Sequence, residues 1–223
     1  RVQVGDDLGD GRRLVAVLDG TDPDAEGEVP LPPYIRGPLD DPERYQTTFA
    51  EQLLAGGTPG QLRSVAAPTA GLHITPALLD RCRAAGAEVA AVRLSVGIGT
   101  FRPIVATRVE EHAMHAERFV VPHAVLEACG RADPVGTTVV RALESAAGGR
   151  SERTDLYIHG DHPFRVVDAL LTNFHVPRSS LLVLVDAFVG ARWRRLYETA
   201  LADGYRFLSL GDAMLLDRRW GRR

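Results

Sequence analysis

The sequence predicts an α/β protein in which a mixed central sheet is flanked by helices, preceded by the tail of a small β unit. Three observations carry that expectation. Helix-capping signatures alternate with short apolar, strand-like runs through residues 34–216. Residues 1–30 instead combine alternating stretches, such as Arg13-Leu14-Val15-Ala16-Val17-Leu18, with Gly and Asp clusters that read as turns. Between the two regions, Pro30-Leu31-Pro32-Pro33-Tyr34 is a stiff extended connector, because proline fixes φ and disfavours helix in the residue before it. The boundary is expected there, with 1–30 a small β region and 31–223 an α/β domain. One or two strands do not make a stable sheet, so the first region is not expected to stand alone.

The elements follow in order. Asp41 caps a predicted helix that Pro42 opens, with Tyr45, Phe49 and Leu53 at four-residue spacing along one face. Thr75 caps a second helix and Pro76 opens it; Leu78, Leu79 and Cys82 form its apolar stripe, and Gly86 takes the left-handed position that ends it. Val89 to Val96 alternates as a strand. The run Leu181-Leu182-Val183-Leu184-Val185 reads as a buried helix or strand. Trp193, Leu196, Tyr197, Ala200 and Leu201 mark an amphipathic helix stopped by Gly204, and Tyr205 to Leu210 is expected to return to strand.

Composition narrows the function. At 223 residues with 45% hydrophobic and 25% charged, the chain is long enough for one main domain with a real core. No apolar run approaches the roughly 18 to 20 residues of a membrane helix, so a soluble, cytoplasmic protein is expected. Cys82 and Cys129 lack metal-ligand or redox-pair spacing and are expected as thiols. Every basic residue is arginine, which closes lysine chemistry and leaves proton transfer to His, Asp, Glu or Tyr. A formal charge of −3 argues against nucleic-acid binding driven by overall charge, so any RNA contact must be local. The terminal Arg218, Arg219, Arg222 and Arg223 are one candidate, and a solvated tail is the alternative.

Six segments combine residue types that chemistry needs. Ser64 to His73 is small and uncharged just before a helix; Ala70 and Gly71 let a ligand approach, Thr69 offers a hydroxyl and His73 an imidazole, although a packed turn explains the same residues. Val96-Gly97-Ile98-Gly99-Thr100-Phe101 frees backbone amides after a strand, without the third glycine or following helix of a dinucleotide fingerprint. In His112-Ala113-Met114-His115-Ala116-Glu117 a metal set is incomplete, which leaves a His–Glu pair for acid-base work or a solvated loop. Gly136-Thr137-Thr138 with Arg141 and Glu144 reads as a capped helix carrying a surface ion pair. Thr172-Asn173-Phe174-His175 gathers an amide, an aromatic and an imidazole at a strand end. Gly211-Asp212-Ala213-Met214 is explained by a turn with Asp at its corner.

The order of these segments, together with Asp41 to Thr47, Val135 to Glu144 and Tyr205 to Met214, resembles the S-adenosylmethionine:tRNA ribosyltransferase-isomerase family of queuosine biosynthesis over nearly all of residues 30–216. The resemblance implies that 31–223 is a catalytic domain. It implies transfer and isomerisation of the ribosyl moiety of S-adenosylmethionine onto 7-aminomethyl-7-deazaguanine in the tRNA anticodon, giving epoxyqueuosine with release of adenine and methionine. S-adenosylmethionine is then the co-substrate, tRNA the partner, no metal is expected, and the chain is expected as a monomer. Candidate catalytic residues are His73, His115 and His175 for proton transfer, with Glu117 and Asp212 for orientation or charge stabilisation. Candidate cofactor contacts are Thr69, Gly71, Gly97, Gly99, Thr100, Thr137 and Asn173. A silent relative that only binds S-adenosylmethionine, RNA or a partner, and a ribosyl transferase acting on a small-molecule acceptor, are the alternatives. The family is two-domained, with a β-barrel inserted into the α/β part, so the resemblance implies that 1–30 is a partial β-barrel domain, the remnant of a small barrel. The chain is expected to be a fragment or a reduced relative that begins inside it. It departs from the family pattern at Ser95, Gly160-Asp161-His162 and Asp186; a carboxylate at Asp186 inside an apolar run needs a partner.

Overall fold

A computed structural model describes residues 1–9, 12–22, 31–32, 34–37, 39–49, 67–97, 103–129 and 135–219. The chain divides into two compact units, Arg1–Pro33 and Tyr34–Arg223. In the first, β1 (Val2–Gly9) and β2 (Arg12–Val17) form an antiparallel hairpin with Val4 opposite Val15. Every residue of β1 is exposed, as in a ribbon with no core of its own.

The second unit mixes helices with small sheets. Strands β3 (Arg93–Ser95), β4 (Glu117–Val120) and β5 (Arg153–Thr154) form a sheet of order β3-β4-β5, and β6 (Ala169–Asn173) pairs with β7 (Ala213–Asp217). All of these pairs are antiparallel, and an isolated parallel bridge joins Val135 to Leu171. Among the described residues the expected central sheet is therefore several short ladders, with helices filling the space between them. Those helices are α1 (Pro76–Ala84), α2 (His123–Ala128), α3 (Thr137–Ala147), α4 (Ser180–Val189) and α5 (Arg192–Ala202). Val140 and Leu143 of α3, Leu170 of β6, Val185 and Phe188 of α4, Tyr197 of α5 and Leu216 of β7 share one core.

Local signals that depend on adjacent residues hold. Thr75 Oγ1 accepts from Leu78 N at 3.2 Å and Pro76 opens α1, while Gly86 has φ +89° just beyond the helix. The Leu181–Val185 run is helical, started by Ser179, whose hydroxyl accepts from Leu182 N. Asp186 finds the partner it needs in the Trp193 indole, which donates to Oδ1 at 2.6 Å.

Four expectations are corrected. Asp41 does cap a turn, but it is a single 3₁₀ turn, Pro42–Tyr45, and Gln46 is already extended. Burial of Tyr45 and Thr47 and the β-branched Thr47-Thr48 pair override the four-residue spacing; Leu53 lies outside the described residues. The strand expected from Val89 covers only Arg93–Ser95, where β4 supplies a partner. Tyr205 to Leu210 is a turn: Leu208 N donates to Phe174 O at 3.0 Å with Leu208 at φ +72°, and the last strand starts at Ala213. Arg141 and Glu144 are no surface pair, for both are buried and each is bound elsewhere.

Candidate active site

The small-residue segment closes into a 3₁₀ turn, Thr69–His73, in which Gly71 N donates to Pro68 O at 2.7 Å and Ala70 and Gly71 are buried. Absence of bulk permits this: a Cβ on Gly71 would stand 2.9 Å from Phe49 Cε2. The turn lies against the end of β6. Thr69 Oγ1 donates to Asn173 Oδ1 at 3.1 Å, and Asn173 Nδ2 reaches His73 Nε2 and the main-chain oxygen of Asp212, each at 3.5 Å. Asn173 is buried while His73 is exposed, so a fixed amide steers an accessible imidazole.

Helix α3 begins beside the same turn. Gly136 N donates to Leu171 O at 2.7 Å with φ +91°, and a Cβ there would meet the Ala70 Cβ at 3.6 Å. Thr137 follows, buried. One turn further, on the same helical face, Arg141 enters a second group. Its Nη1 donates to Glu117 Oε2 at 2.6 Å and its Nε to Leu156 O at 3.2 Å, and Glu117 Oε1 accepts from Gly97 N at 2.9 Å. Helix α3 thus ties the Thr69–His73 turn to the Gly97 turn. Gly99 and Thr100 lie outside the described residues.

The remaining candidates have surroundings of their own. His115 is exposed two residues before β4, close enough to His112 for its charge to help depress that imidazole's pKa, after burial as the larger cause. His175 Nε2 lies 3.0 Å from Thr172 Oγ1, and its main-chain N–H donates to Tyr197 Oη at 2.8 Å. Because successive strand residues face opposite ways, Thr172 turns this ring to the side of β6 away from the Asn173 amide. Burial pushes the His175 pKa down to about 4 and that of Tyr197 up to about 12. The Asp212 carboxylate accepts from Arg206 N at 2.7 Å, the corner geometry of a turn. Arg141 was not singled out from the sequence as a site residue, although an arginine within the apolar run Val139-Val140-Arg141-Ala142-Leu143 is a signal of a buried charge that needs a partner. Among the described residues no three His, Cys, Asp or Glu side chains gather to hold a metal ion, and no helix is long and apolar enough to cross a membrane.

Small antiparallel ladders interleaved with helices, with a buried amide steering an open imidazole beside a glycine turn, define a mixed α/β protein with a polar, ligand-accessible corner. The profile of the family described as Queuosine biosynthesis protein matches residues 6–216, and the chain belongs to that family. The S-adenosylmethionine:tRNA ribosyltransferase-isomerase of Thermus thermophilus is 52% identical over 205 residues, which cover 85% of this chain and 56% of that protein. The protein of the same name from Desulfitobacterium hafniense is 45% identical over 94% of this chain and 64% of its own. The chain thus spans little more than half the length of these relatives. The crystal structure of S-adenosylmethionine tRNA ribosyltransferase from Thermotoga maritima superimposes with a TM-score of 0.52 at 38% identity, over 66% of this chain and 50% of that one.

Proposed function

We propose that this chain carries the catalytic α/β part of an enzyme that transfers and isomerises the ribosyl moiety of S-adenosylmethionine onto 7-aminomethyl-7-deazaguanine in the tRNA anticodon. Adenine and methionine leave, and epoxyqueuosine forms. The observation that carries this reading is the meeting of Thr69 and Asn173, 104 residues apart in sequence, within a chain 52% identical to a relative of that name. Two family-bearing segments so joined form one corner with an imidazole at its mouth.

The reaction needs a base for the proton beside the sulfonium, an acid for the departing adenine and polar groups to hold the ribose. His73 takes the base role, since its ring is exposed and lies against the buried Asn173 amide. His115, also exposed, is the second proton-transfer candidate. His175, with a pKa near 4, is neutral at pH 7 and acts by holding the strand end rather than as an acid. Thr69, Asn173 and Thr137 orient the ribose. Gly97, Gly99 and Thr100 are the further co-substrate contacts, with the Gly97 amide held by Glu117, and Gly71 and Asp212 shape the corner. The enzyme works as a cytoplasmic monomer without a metal.

The test is incubation of the purified chain with S-adenosylmethionine labelled in the adenine, with and without substrate tRNA. Adenine release that requires tRNA is the expected result. Release that requires a small-molecule acceptor instead, or binding without release, overturns it.

A further inference from the structure

The outer face of the β3-β4-β5 sheet concentrates positive charge in a chain whose formal charge is −3. Alternation along β4 turns Glu117 and Phe119 inward and leaves Arg118 and Val120 exposed. Arg118 stands directly opposite Arg153 on β5, and Val120 opposite Arg93 on β3, so all three arginines share the solvent face. Like charges directly opposed across a ladder are destabilising, and no salt bridge to Arg93, Arg118 or Arg153 is formed among the described residues. Of the nearby carboxylates, Glu117 pairs with Arg141 on the inner face, Asp155 with Arg150, and Glu110, which faces Tyr157 and His159, with Arg108.

The same ladder, continued past its end, brings residues 112–115 alongside 156–159, where rings gather. His112 and Tyr157 meet edge to face with centroids 5.2 Å apart, and Tyr157 and His159 lie at 4.8 Å with a 36° tilt. The Tyr157 hydroxyl has no hydrogen-bond partner among the described residues. Opposed cations without counter-charges next to a row of polar aromatic rings match what single-stranded nucleic acid requires: arginines for the phosphates and ring faces for unstacked bases.

We infer that the sheet face bearing Arg93, Arg118 and Arg153, with the His112-Tyr157-His159 ring row at its edge, is a docking surface for a single-stranded RNA loop. This rests on the proposed tRNA-modifying function and supplies a local concentration of positive charge in a chain whose formal charge is −3. The arginines neutralise backbone phosphates, and the rings stack on bases that have left the helix.

The test measures binding of a fluorescent RNA hairpin carrying the anticodon loop, by anisotropy across a salt series, for the wild-type chain, Arg118→Ala/Arg153→Ala and His112→Ala/His159→Ala. Arg83→Ala, which removes an exposed arginine paired to Asp80 on α1, is the control. Loss of two phosphate contacts should flatten the plot of log affinity against log salt by about 1.4. Loss of the rings should weaken binding by about tenfold while leaving that slope alone. Arg118→Ala/Arg153→Ala should melt no lower than the wild type, because a like-charge contact is relieved, whereas a structural role would lower the melting temperature. RNA binding with an unchanged slope in Arg118→Ala/Arg153→Ala overturns the surface and leaves the proposed function standing. Equal competition by polyglutamate overturns RNA as the occupant. Binding of S-adenosylmethionine with no RNA binding at all overturns the surface and the tRNA acceptor together.

Discussion

Glu117 and Arg141 form an ion pair of 2.6 Å with both side chains less than a tenth exposed, and through it α3 grips the turn at Gly97. A buried pair contributes little relative to an apolar replacement of both partners, but losing one partner strands a charge. Arg141→Met should therefore lower unfolding free energy by about 3 to 5 kcal/mol in denaturant titrations. Glu117→Leu/Arg141→Met should recover much of that loss. If the pair only shapes the cofactor turn, the recovered double variant should still bind S-adenosylmethionine more weakly, as calorimetry would report.

Glu144 gives a second buried carboxylate a different task. Its oxygens accept from the main-chain N–H groups of Arg165, Val166 and Val167 at 2.9 to 3.1 Å. Glu144→Ala leaves three inward-facing donors without an acceptor, each costing about 1 to 3 kcal/mol, so the chain should fail to fold cooperatively in thermal melts. Glu144→Gln keeps one acceptor oxygen and should fold with intermediate stability.

The two glycine positions separate by what surrounds them. At Gly71 an added Cβ meets the edge of the Phe49 ring at 2.9 Å, a side chain that can shift, and Gly71→Ala should cost about 1 to 3 kcal/mol. At Gly211 it would lie 2.4 Å from the backbone oxygens of both Arg206 and Phe207, which cannot move without breaking the turn. Gly211→Ala should be the more destabilising of the two in the same denaturant assay.

His175 makes stability depend on pH in a defined window. Its folded pKa of about 4 lies below the unfolded value near 6.5, so the unfolded state binds more protons between them. Stability is full above pH 6.5 and falls as pH drops toward 4. His175→Gln should remove that slope, so that its urea midpoint changes less between pH 7 and pH 4.5 than the wild-type midpoint does.

His73→Ala should lower tRNA-dependent adenine release by about a hundredfold or more, the scale of a lost general base. Because His73 is exposed, its loss should change stability by less than about 0.5 kcal/mol. Undiminished turnover at saturating S-adenosylmethionine would remove it from the mechanism.

What could be read from the sequence follows a physical line. Thr75-Pro76 and Gly86 act through neighbours within four residues, so the cap and stop of α1 were legible without the fold, whereas the Leu181–Val185 run stayed open between helix and strand until Ser179 was seen to cap it. The Thr69–His73 and Thr172–His175 segments were recognisable by residue type, and their family membership with them. Spacing failed where distant contacts decide: Tyr45 and Thr47 bury against other parts of the chain and end a helix that local spacing would continue. Tyr205 to Leu210 has strand-like composition but becomes a turn because Leu208 bonds to Phe174, which sequence proximity does not reveal.

By itself the sequence determined the cap and stop of α1, the family and the segments from which a candidate site is built, since these depend on short-range hydrogen bonding and side-chain type. Only the tertiary structure decided which of those segments meet. It joined Thr69 and His73 to Asn173, sent Arg141 to Glu117 instead of Glu144, and turned His175 to the other side of β6. The reason is that a buried polar group takes whichever partner the packed core brings within about 3 Å, and that choice depends on the whole fold rather than on spacing along the chain.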